Sequence, residues 1–231
     1  MKTLEWMRFL ESQYRQHGKA LFRVAELANV AGRDAHALNV ELGRLVQKGV
    51  IVRYATGVYG LPDRATPEQL VTVLDDGAYI TGVFALHRHN VVTQAPTEIT
   101  CFTNRRHSQS RERVTPFGRL VFVRVVPRIY CMPSKGALAP PEQAICDFVH
   151  LTLRQGLDPC ALVTFRGLAG VSQRLLTVMS KRYSPLVRKK VQDICALPPS
   201  PARRVGLRAR SVGGRQTETQ RAEARVQWRC R

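Results

Sequence analysis

The amino-acid sequence predicts an α+β fold with two folded regions followed by a basic tail. The chain has 231 residues, of which 44% are hydrophobic, and this suffices for one large domain or two small ones. Apolar residues recur at helical spacing in several segments, and short β-branched or aromatic runs lie between them. This periodicity is lost from Pro198 onward. The pattern predicts folded regions at residues 1–62 and 63–197 and an Arg-rich disordered tail at residues 198–231.

The charged residues are strongly unbalanced. Lys and Arg number 36 against 17 Asp and Glu, which gives a formal net charge of +19. Nine arginines and two glutamates give residues 201–231 a charge of +7, so +12 remains on the first 200 residues. The surplus therefore does not depend on the tail. It favours a polyanionic partner, with nucleic acid ahead of an anionic membrane surface.

Membrane and secreted proteins are not supported by the sequence. The longest apolar stretches, such as Leu120 to Val123, are far below the roughly 20 residues that cross a bilayer. The amino terminus carries Glu5 and Glu11 and does not match a secretory signal, so we expect a cytoplasmic protein. The six cysteines form no Cys-x-x-Cys pair, and we expect reduced thiols that mostly pack in the core. They are Cys101, Cys131, Cys146, Cys160, Cys195 and Cys230.

Three helices are predicted in the first region. The spacing of apolar residues predicts a first helix from Thr3 to Tyr14. Residues Phe22 to Ala28 indicate a short second helix that stops near Gly32. Asp34 is expected to cap a third helix, which Gly49 ends. The second and third helices are thus joined by a turn of three or four residues.

A β-hairpin is predicted directly after the third helix. Residues Val50 to Tyr54 are β-branched or aromatic, and Val58 to Leu61 form the returning strand. Between them, Gly57 lies at the turn position that needs a positive φ, and Pro62 closes the hairpin. A helix, a helix-turn-helix and a hairpin, in this order, are the elements of a winged helix.

The second region is predicted to be mixed α and β. Thr66, Pro67 and Gln69 have the chemistry of a capping box and mark its first helix, which Asp75 and Asp76 end. Further helices are predicted at Ile80 to His89, from Pro140 through about Leu153, and near Val171 to Arg182 and Leu186 to Cys195. Strands are predicted at Glu98 to Phe102 and Leu120 to Val126, with the Arg-rich stretch Arg105 to Arg113 between them.

The third helix carries the candidate DNA-binding face. Opposite its buried centre at Leu42, helical spacing places His36, Val40, Gly43, Arg44 and Gln47, with Asn39 at the edge. Asn and Gln can pair with adenine, Arg44 can pair with guanine or a phosphate, and Gly43 permits close approach.

Further candidate contacts surround this helix. Arg33 precedes it, Arg53 lies on the first hairpin strand and Thr56 lies in the hairpin turn, where they could contact the phosphate backbone. Two other interpretations stay open at this point. The polar face could be an ordinary solvated surface, and winged helices also serve as protein-binding modules.

Three segments resemble the AbiEi-type antitoxin family of type IV toxin-antitoxin and phage-abortive systems. Leu42 to Pro62, with LxRLVQKGVIVRYATGVYGLP, resembles the family's amino-terminal winged helix. Tyr79 to Pro96, YITGVFALHRHNVVTQAP, looks like the start of its carboxy-terminal antitoxin domain. Ala139 to Asp147, APPEQAICD, resembles a helix start in the same domain. Together the resemblance covers about residues 20 to 195.

The resemblance implies a DNA-binding autorepressor that is also an antitoxin. The winged helix would bind repeats in its own promoter, and the second domain would counteract a nucleotidyltransferase-like toxin encoded beside it, directly or indirectly. Neither activity requires catalysis by this chain, and no cofactor or metal is expected. The residues of the antitoxin-domain motif are Tyr79, Ala85, Leu86, Gln94, Pro96, Glu142 and Asp147.

Local chemistry assigns roles to several of these positions. Asn90 stands where the family has Gly, and Asn is the next best residue for a left-handed helix cap. Gln94 and Pro96 are expected to hold an extended approach to the strand at Glu98. Asp147 is expected to be a surface or capping residue.

Two alternatives to the antitoxin remain. One is a plain winged-helix regulator whose second domain senses a ligand or self-associates, and the other is a metal-dependent DNA nuclease. Motifs such as His-Glu-x-x-His and Gly-x-Ser-x-Gly are missing from the sequence. His87 and His89 would point about 200° apart on a helix and could not share a metal ion.

Overall fold

The computed structural model describes residues 2–32, 34–106 and 111–196. In these ranges the chain forms nine α-helices, one short 3-10 helix at Leu168–Gly170, and two sheets of three and four strands. The predicted α+β class is confirmed. The predicted tail at residues 198–231, Cys230 and Arg33 lie outside the described residues.

The first 61 residues contain three helices and a three-stranded sheet. The elements are α1 (Thr3–His17), β1 (Leu21–Arg23), α2 (Val24–Ala31), α3 (Ala35–Gln47), β2 (Val52–Ala55) and β3 (Val58–Gly60). The predicted Asp34 cap of α3 is confirmed, because the Asp34 carboxylate accepts hydrogen bonds from the backbone N–H groups of His36 and Ala37 at 2.8 and 2.9 Å. Gly57 has the predicted positive φ, at 73°.

The prediction that Phe22 belongs to the second helix is wrong. Phe22 lies in β1, opposite Tyr59 of β3, and α2 begins at Val24. The strand order is β1-β3-β2, with both pairs antiparallel. β1 is too short to show a period of its own, and it forms because β3 offers a partner that lies far away in sequence.

The core of this region lies between α1, α3 and the sheet. Trp6 and Leu10 of α1 pack with Leu38, Leu42 and Leu45 of α3, and all five side chains are buried. A full burial of such a side chain stabilises the fold by about 1.5–3 kcal/mol. The indole Nε1 of Trp6 also donates a hydrogen bond to Glu41 Oε1 at 2.8 Å, which fixes α1 against α3.

Residues 66–196 form a four-stranded sheet with helices packed around it. The elements are α4 (Pro67–Leu74), β4 (Ala78–Thr81), α5 (Gly82–Arg88), β5 (Glu98–Thr103), β6 (Glu112–Thr115), β7 (Gly118–Arg124), α6 (Pro141–Arg154), α7 (Pro159–Leu162), α8 (Gln173–Ser180) and α9 (Pro185–Ala196). The strand order is β4-β5-β7-β6, with β5 and β7 parallel. The predicted capping box is confirmed, because Thr66 and Gln69 exchange reciprocal hydrogen bonds.

The predicted helix from Ile80 to His89 is only partly correct. Ile80 and Thr81 belong to β4, which pairs with β5, and the helix starts at Gly82, whose φ of 66° permits the turn. Asn90 has a φ of 58° after this helix, as predicted for a left-handed cap. The sequence predicts only an Arg-rich stretch between β5 and β7, whereas the structure has a further strand, β6, which begins within that stretch at Glu112.

The hairpin also packs against the second sheet. Tyr54 of β2 stacks on Phe117, next to β7, with ring centroids 5.3 Å apart. Leu21, Ala55 and Val58 share one hydrophobic cluster with residues of α4, β4, β5 and β7. The position of the hairpin is therefore set by contacts on both of its sides.

Two glycines allow a matched test of the register between β1 and β3. A Cβ atom at Gly60 would clash with the carbonyl oxygen of Ala20, whereas nothing lies within 4 Å of a Cβ built at Gly43 on α3. We expect Gly60→Ala to lower the free energy of unfolding by about 1–3 kcal/mol through overpacking. Gly43→Ala should raise it by about 1 kcal/mol, the difference in helix propensity. Chemical denaturation of both variants measures this, and equal changes of the same sign would contradict the strand register.

Candidate nucleic-acid interface

The predicted DNA-contacting residues of α3 lie together on one exposed face. Because Leu38, Leu42 and Leu45 are almost fully buried on the opposite side, the rotation of the helix is fixed. The exposed residues of this face are His36, Asn39, Val40, Gly43, Arg44 and Gln47. Polar donors, a cation and a glycine are thus displayed side by side.

A groove runs between the start of α1 and this face. It is lined by Lys2 and Thr3 on one side and by Ala37, Val40, Glu41, Arg44, Leu45 and Lys48 on the other. Three cations and one carboxylate, that of Glu41, therefore line one groove. Within the described ranges, none of these three cations forms an ion pair. Their charges are available to an anion.

The only acidic residue of α3 is Glu41, and its carboxylate faces α1. Glu41 accepts the hydrogen bond from Trp6 and is partly buried, so it is directed away from the exposed face. At the start of the helix, the backbone N–H groups of Ala37 and His36 lower the pKa of Asp34, which keeps this cap ionised. The exposed face of α3 itself therefore presents no carboxylate.

The hairpin adds two exposed candidate residues. Arg53 lies on β2, an edge strand of the first sheet, and Thr56 lies in the turn before β3. In the part of the chain that the structure describes, Arg53 has no ion-pair partner. Arg33, the remaining predicted contact, is outside that part.

Sequence reasoning missed Lys2 and Lys48. Lys48 follows Arg44 by four residues and could have been assigned to the same face from helical spacing. Lys2 precedes α1, and it reaches the groove only because Trp6 and Glu41 join the two helices. No local pattern marks that contact.

The residues of the antitoxin-domain motif are mostly internal. Tyr79, Ala85 and Leu86 are fully buried. Glu142 is buried at 6% exposure, and its Oε1 accepts a hydrogen bond from the backbone N–H of Ser172 at 2.8 Å. These four residues contribute to the interior rather than to a surface.

Gln94 and Pro96 are both partly buried. The side-chain amide of Gln94 makes two hydrogen bonds with Thr164, one to Oγ1 at 3.2 Å and one from the backbone N–H at 3.1 Å. Gln94 thus ties the segment before β5 to the segment after α7.

The expectation that Asp147 is a surface or capping residue is wrong. Asp147 lies in the interior of α6 with 0% exposure. Its carboxylate accepts hydrogen bonds from Thr81 Oγ1 at 2.7 Å and from Tyr183 OH at 2.5 Å. The partners come from β4 and from the turn before α9. A buried carboxylate with two hydroxyl donors therefore joins three parts of the second region.

Burial controls the protonation of Asp147. Removal from water raises the pKa of its carboxyl group to about 7, although the hydrogen bonds from Tyr183 and Thr81 act in the opposite direction. Burial, and after it the nearby Asp147 carboxylate, raises the pKa of the Tyr183 phenol. Near neutral pH the carboxyl is therefore divided between its charged and neutral forms.

The two aspartates after α4 have structural partners. Asp75 is the C-cap of α4 and accepts hydrogen bonds from Thr103 Oγ1 at 2.7 Å and the Gly77 N–H at 2.9 Å. Both Asp75 and Asp76 pair with Arg105. The prediction that they end a helix is confirmed.

Within the described residues, no group of three or more His, Cys, Asp or Glu side chains is placed to hold a metal ion. The ring nitrogen Nε2 of His89 lies 2.8 Å from the carbonyl oxygen of Ala139, which ties the end of α5 to the chain before α6. The five described cysteines are free thiols, and Cys101 and Cys146 are buried.

No protein-family model matches the chain, and no curated protein matches it. Among the described helices, none has the length and apolar character that a membrane span requires.

The buried carboxyl of Asp147 predicts a pH-dependent stability. The folded carboxyl, with its raised pKa of about 7, keeps a proton that the unfolded chain has lost above its usual pKa. The stabilising contribution of the protonated Asp147 carboxyl to the free energy of unfolding is fully present below about pH 4. It is lost as the pH rises through about 7. The melting temperature of Asp147→Asn relative to the wild type should therefore increase from pH 5 to pH 8.

Asp158→Asn is the matched control for this measurement. Asp158 is exposed and its pKa is lowered by the hydrogen bond to Lys190, so it does not titrate between pH 5 and pH 8. The melting temperature of Asp158→Asn should change with pH in parallel with that of the wild type between pH 5 and pH 8. A constant difference between Asp147→Asn and the wild type would show that the buried carboxyl does not titrate in this range.

Proposed function

We propose that the chain is a DNA-binding transcriptional regulator in which residues 2–61 act as a winged helix. In this proposal α3 is the recognition helix and the β2–β3 hairpin is the wing. The observation that carries the proposal is the exposed face of α3, where Asn, Gln and Arg side chains lie opposite a buried leucine row and where, among the described residues, the cations form no ion pair.

The dimensions and chemistry of α3 suit the major groove. A helix of 13 residues is about 20 Å long, and a major groove is about 12 Å wide, which admits a helix with its side chains. Arg44 can donate two hydrogen bonds to the O6 and N7 atoms of guanine, and Asn39 and Gln47 can pair with adenine. Arg53 and Thr56 on the hairpin would contact phosphates beside the groove.

The charge of the chain supports the sequence-independent part of this binding. Each cation that neutralises a phosphate releases condensed counterions, so a basic protein gains affinity for any duplex. The net charge of +19 is consistent with such a contribution. Sequence preference would then come from the few side chains of α3 that reach base edges.

The proposal extends to autorepression and to an antitoxin role for the second region. Its support is the resemblance of three segments to AbiEi-type antitoxins, a family in which a winged helix precedes an antitoxin domain. The matching residues Tyr79, Leu86 and Asp147 lie in the interior of the second region, so they would preserve a common core. We infer that the chain binds repeats in its own promoter and counteracts a nucleotidyltransferase-like toxin.

Two substitutions separate base reading from phosphate contact. Arg44→Ala should weaken binding to the promoter of the chain's own gene about tenfold, and should weaken binding to a scrambled duplex much less, because a bidentate guanine contact is lost. Arg53→Ala should weaken both duplexes alike and reduce the slope of log affinity against log salt by about one. Fluorescence anisotropy titrations at several salt concentrations measure both effects.

Lys189→Ala is the control, since Lys189 is an exposed cation on α9. It should leave the promoter preference unchanged. Equal losses of Arg44→Ala on both duplexes would reject base reading by Arg44, and an unchanged salt slope would remove Arg53 from the phosphate contacts. Absence of promoter binding by the wild type would reject the regulator itself.

Coexpression tests the antitoxin half of the proposal. When a neighbouring nucleotidyltransferase-like gene is expressed from an unrelated promoter and arrests growth, the full chain should restore growth. Arg44→Ala should restore growth equally well, because repression of the toxin's own promoter plays no part in this arrangement. Growth arrest that persists with the wild-type chain would leave only the plain regulator.

A further inference from the structure

Val40 is an apolar side chain in the middle of the polar face of α3. Its exposed fraction is 50%, and it is the one large apolar side chain that the structure describes as exposed on this helix. Valine also has a lower helix propensity than the polar residues Gln, Lys or Arg. The exposed half of this side chain is therefore open to contact by a ligand.

The surroundings of Val40 are open and carry a net positive charge, because three cations and the Glu41 carboxylate line the groove. Val40 lies in the groove lined by Lys2, Arg44 and Lys48, and a Cβ atom at neighbouring Gly43 would meet nothing within 4 Å. The net positive charge of the groove favours an anionic occupant, and the exposed half of Val40 offers that occupant an apolar contact. A DNA major groove has this combination, because thymine carries a 5-methyl group between the two phosphate backbones.

We propose that Val40 contacts the 5-methyl group of a thymine and makes the DNA site selective for a T·A pair at one position. This inference rests on the proposed function. The branched side chain of valine has one strongly preferred rotamer in a helix, so its two methyl groups are held in fixed positions. A rigid apolar contact of this kind distinguishes thymine from cytosine, which lacks the methyl group.

The spacing of Val40 and Arg44 adds a constraint on the sequence that is read. The two residues are four apart on α3, which places them about 6 Å apart along the helix axis. One base step is about 3.4 Å. The selected thymine should therefore lie within about two base pairs of a guanine that Arg44 contacts.

The experiment starts from a random-sequence duplex library selected with the full-length chain. In the selected site, each thymine is replaced in turn by deoxyuridine, which removes only the 5-methyl group. We expect deoxyuridine at one position to weaken binding by the wild type about fourfold, the equivalent of one buried methyl group. Val40→Ala should bind the thymine site several-fold more weakly than the wild type and should show no further loss with deoxyuridine.

Val178→Ala is the matched control, because Val178 is an exposed valine on α8 with an exposed fraction of 56%. It should keep the full deoxyuridine penalty of the wild type. A selected site at which no deoxyuridine weakens binding, or at which Val40→Ala keeps the penalty, overturns the methyl contact while leaving DNA binding in place. A selection that enriches no sequence overturns the proposed function together with the inference.

Discussion

The rotation of α3 about its own axis is the constraint on which the proposed interface depends. Leu38 and Leu42 have no exposed surface and Leu45 has 3%, so any rotation that exposed them would forfeit several kcal/mol of apolar burial. The same rotation would bring Arg44 toward the core, where a charge without a partner is strongly unfavourable. Burial of the leucine row therefore determines which side chains face outward.

The hydrogen bond between Trp6 and Glu41 has a second effect beyond joining α1 to α3. Glu41 is the only carboxylate of the helix, and a carboxylate on the exposed face would repel phosphates. Because Glu41 faces the Trp6 indole at 2.8 Å, its charge lies to the side of that face. The contact that stabilises the helix pair thus also holds this carboxylate on the α1 side of the groove rather than on the outward face of α3.

The fold was predictable wherever a residue acts on its immediate neighbours. Asp34, Thr66, Gly57 and Asn90 each fix a turn or a helix end through bonds within a few residues, and their structures agree with the sequence. The exposed face of α3 was predictable in the same way, because helical spacing alone places its residues opposite the buried leucines.

The missed features all depend on distant partners. β1 needs β3, which lies nearly 40 residues later in the chain. Asp147 looked like a surface residue, since its partners Thr81 and Tyr183 are 66 and 36 residues away. Helical periodicity could place Asp147 on a face of α6, but only the position of β4 and of the turn before α9 shows that this face is covered. Lys2 was missed for the same reason, because it lies beside α3 through the contact between Trp6 and Glu41, which are 35 residues apart in the chain.

The distribution of ion pairs separates structural cations from those available for binding. In the described residues, Arg105 pairs with Asp75 and Asp76, and Arg119 pairs with Glu98 and Glu112 across the second sheet. These arginines already serve the fold, and a phosphate would have to compete with a carboxylate that is bound in place. Arg44, Lys48 and Arg53 have no such competitor in the same part of the chain. Net charge alone therefore does not locate an interface, because a cation attracts DNA most strongly where the fold leaves it without an acidic partner.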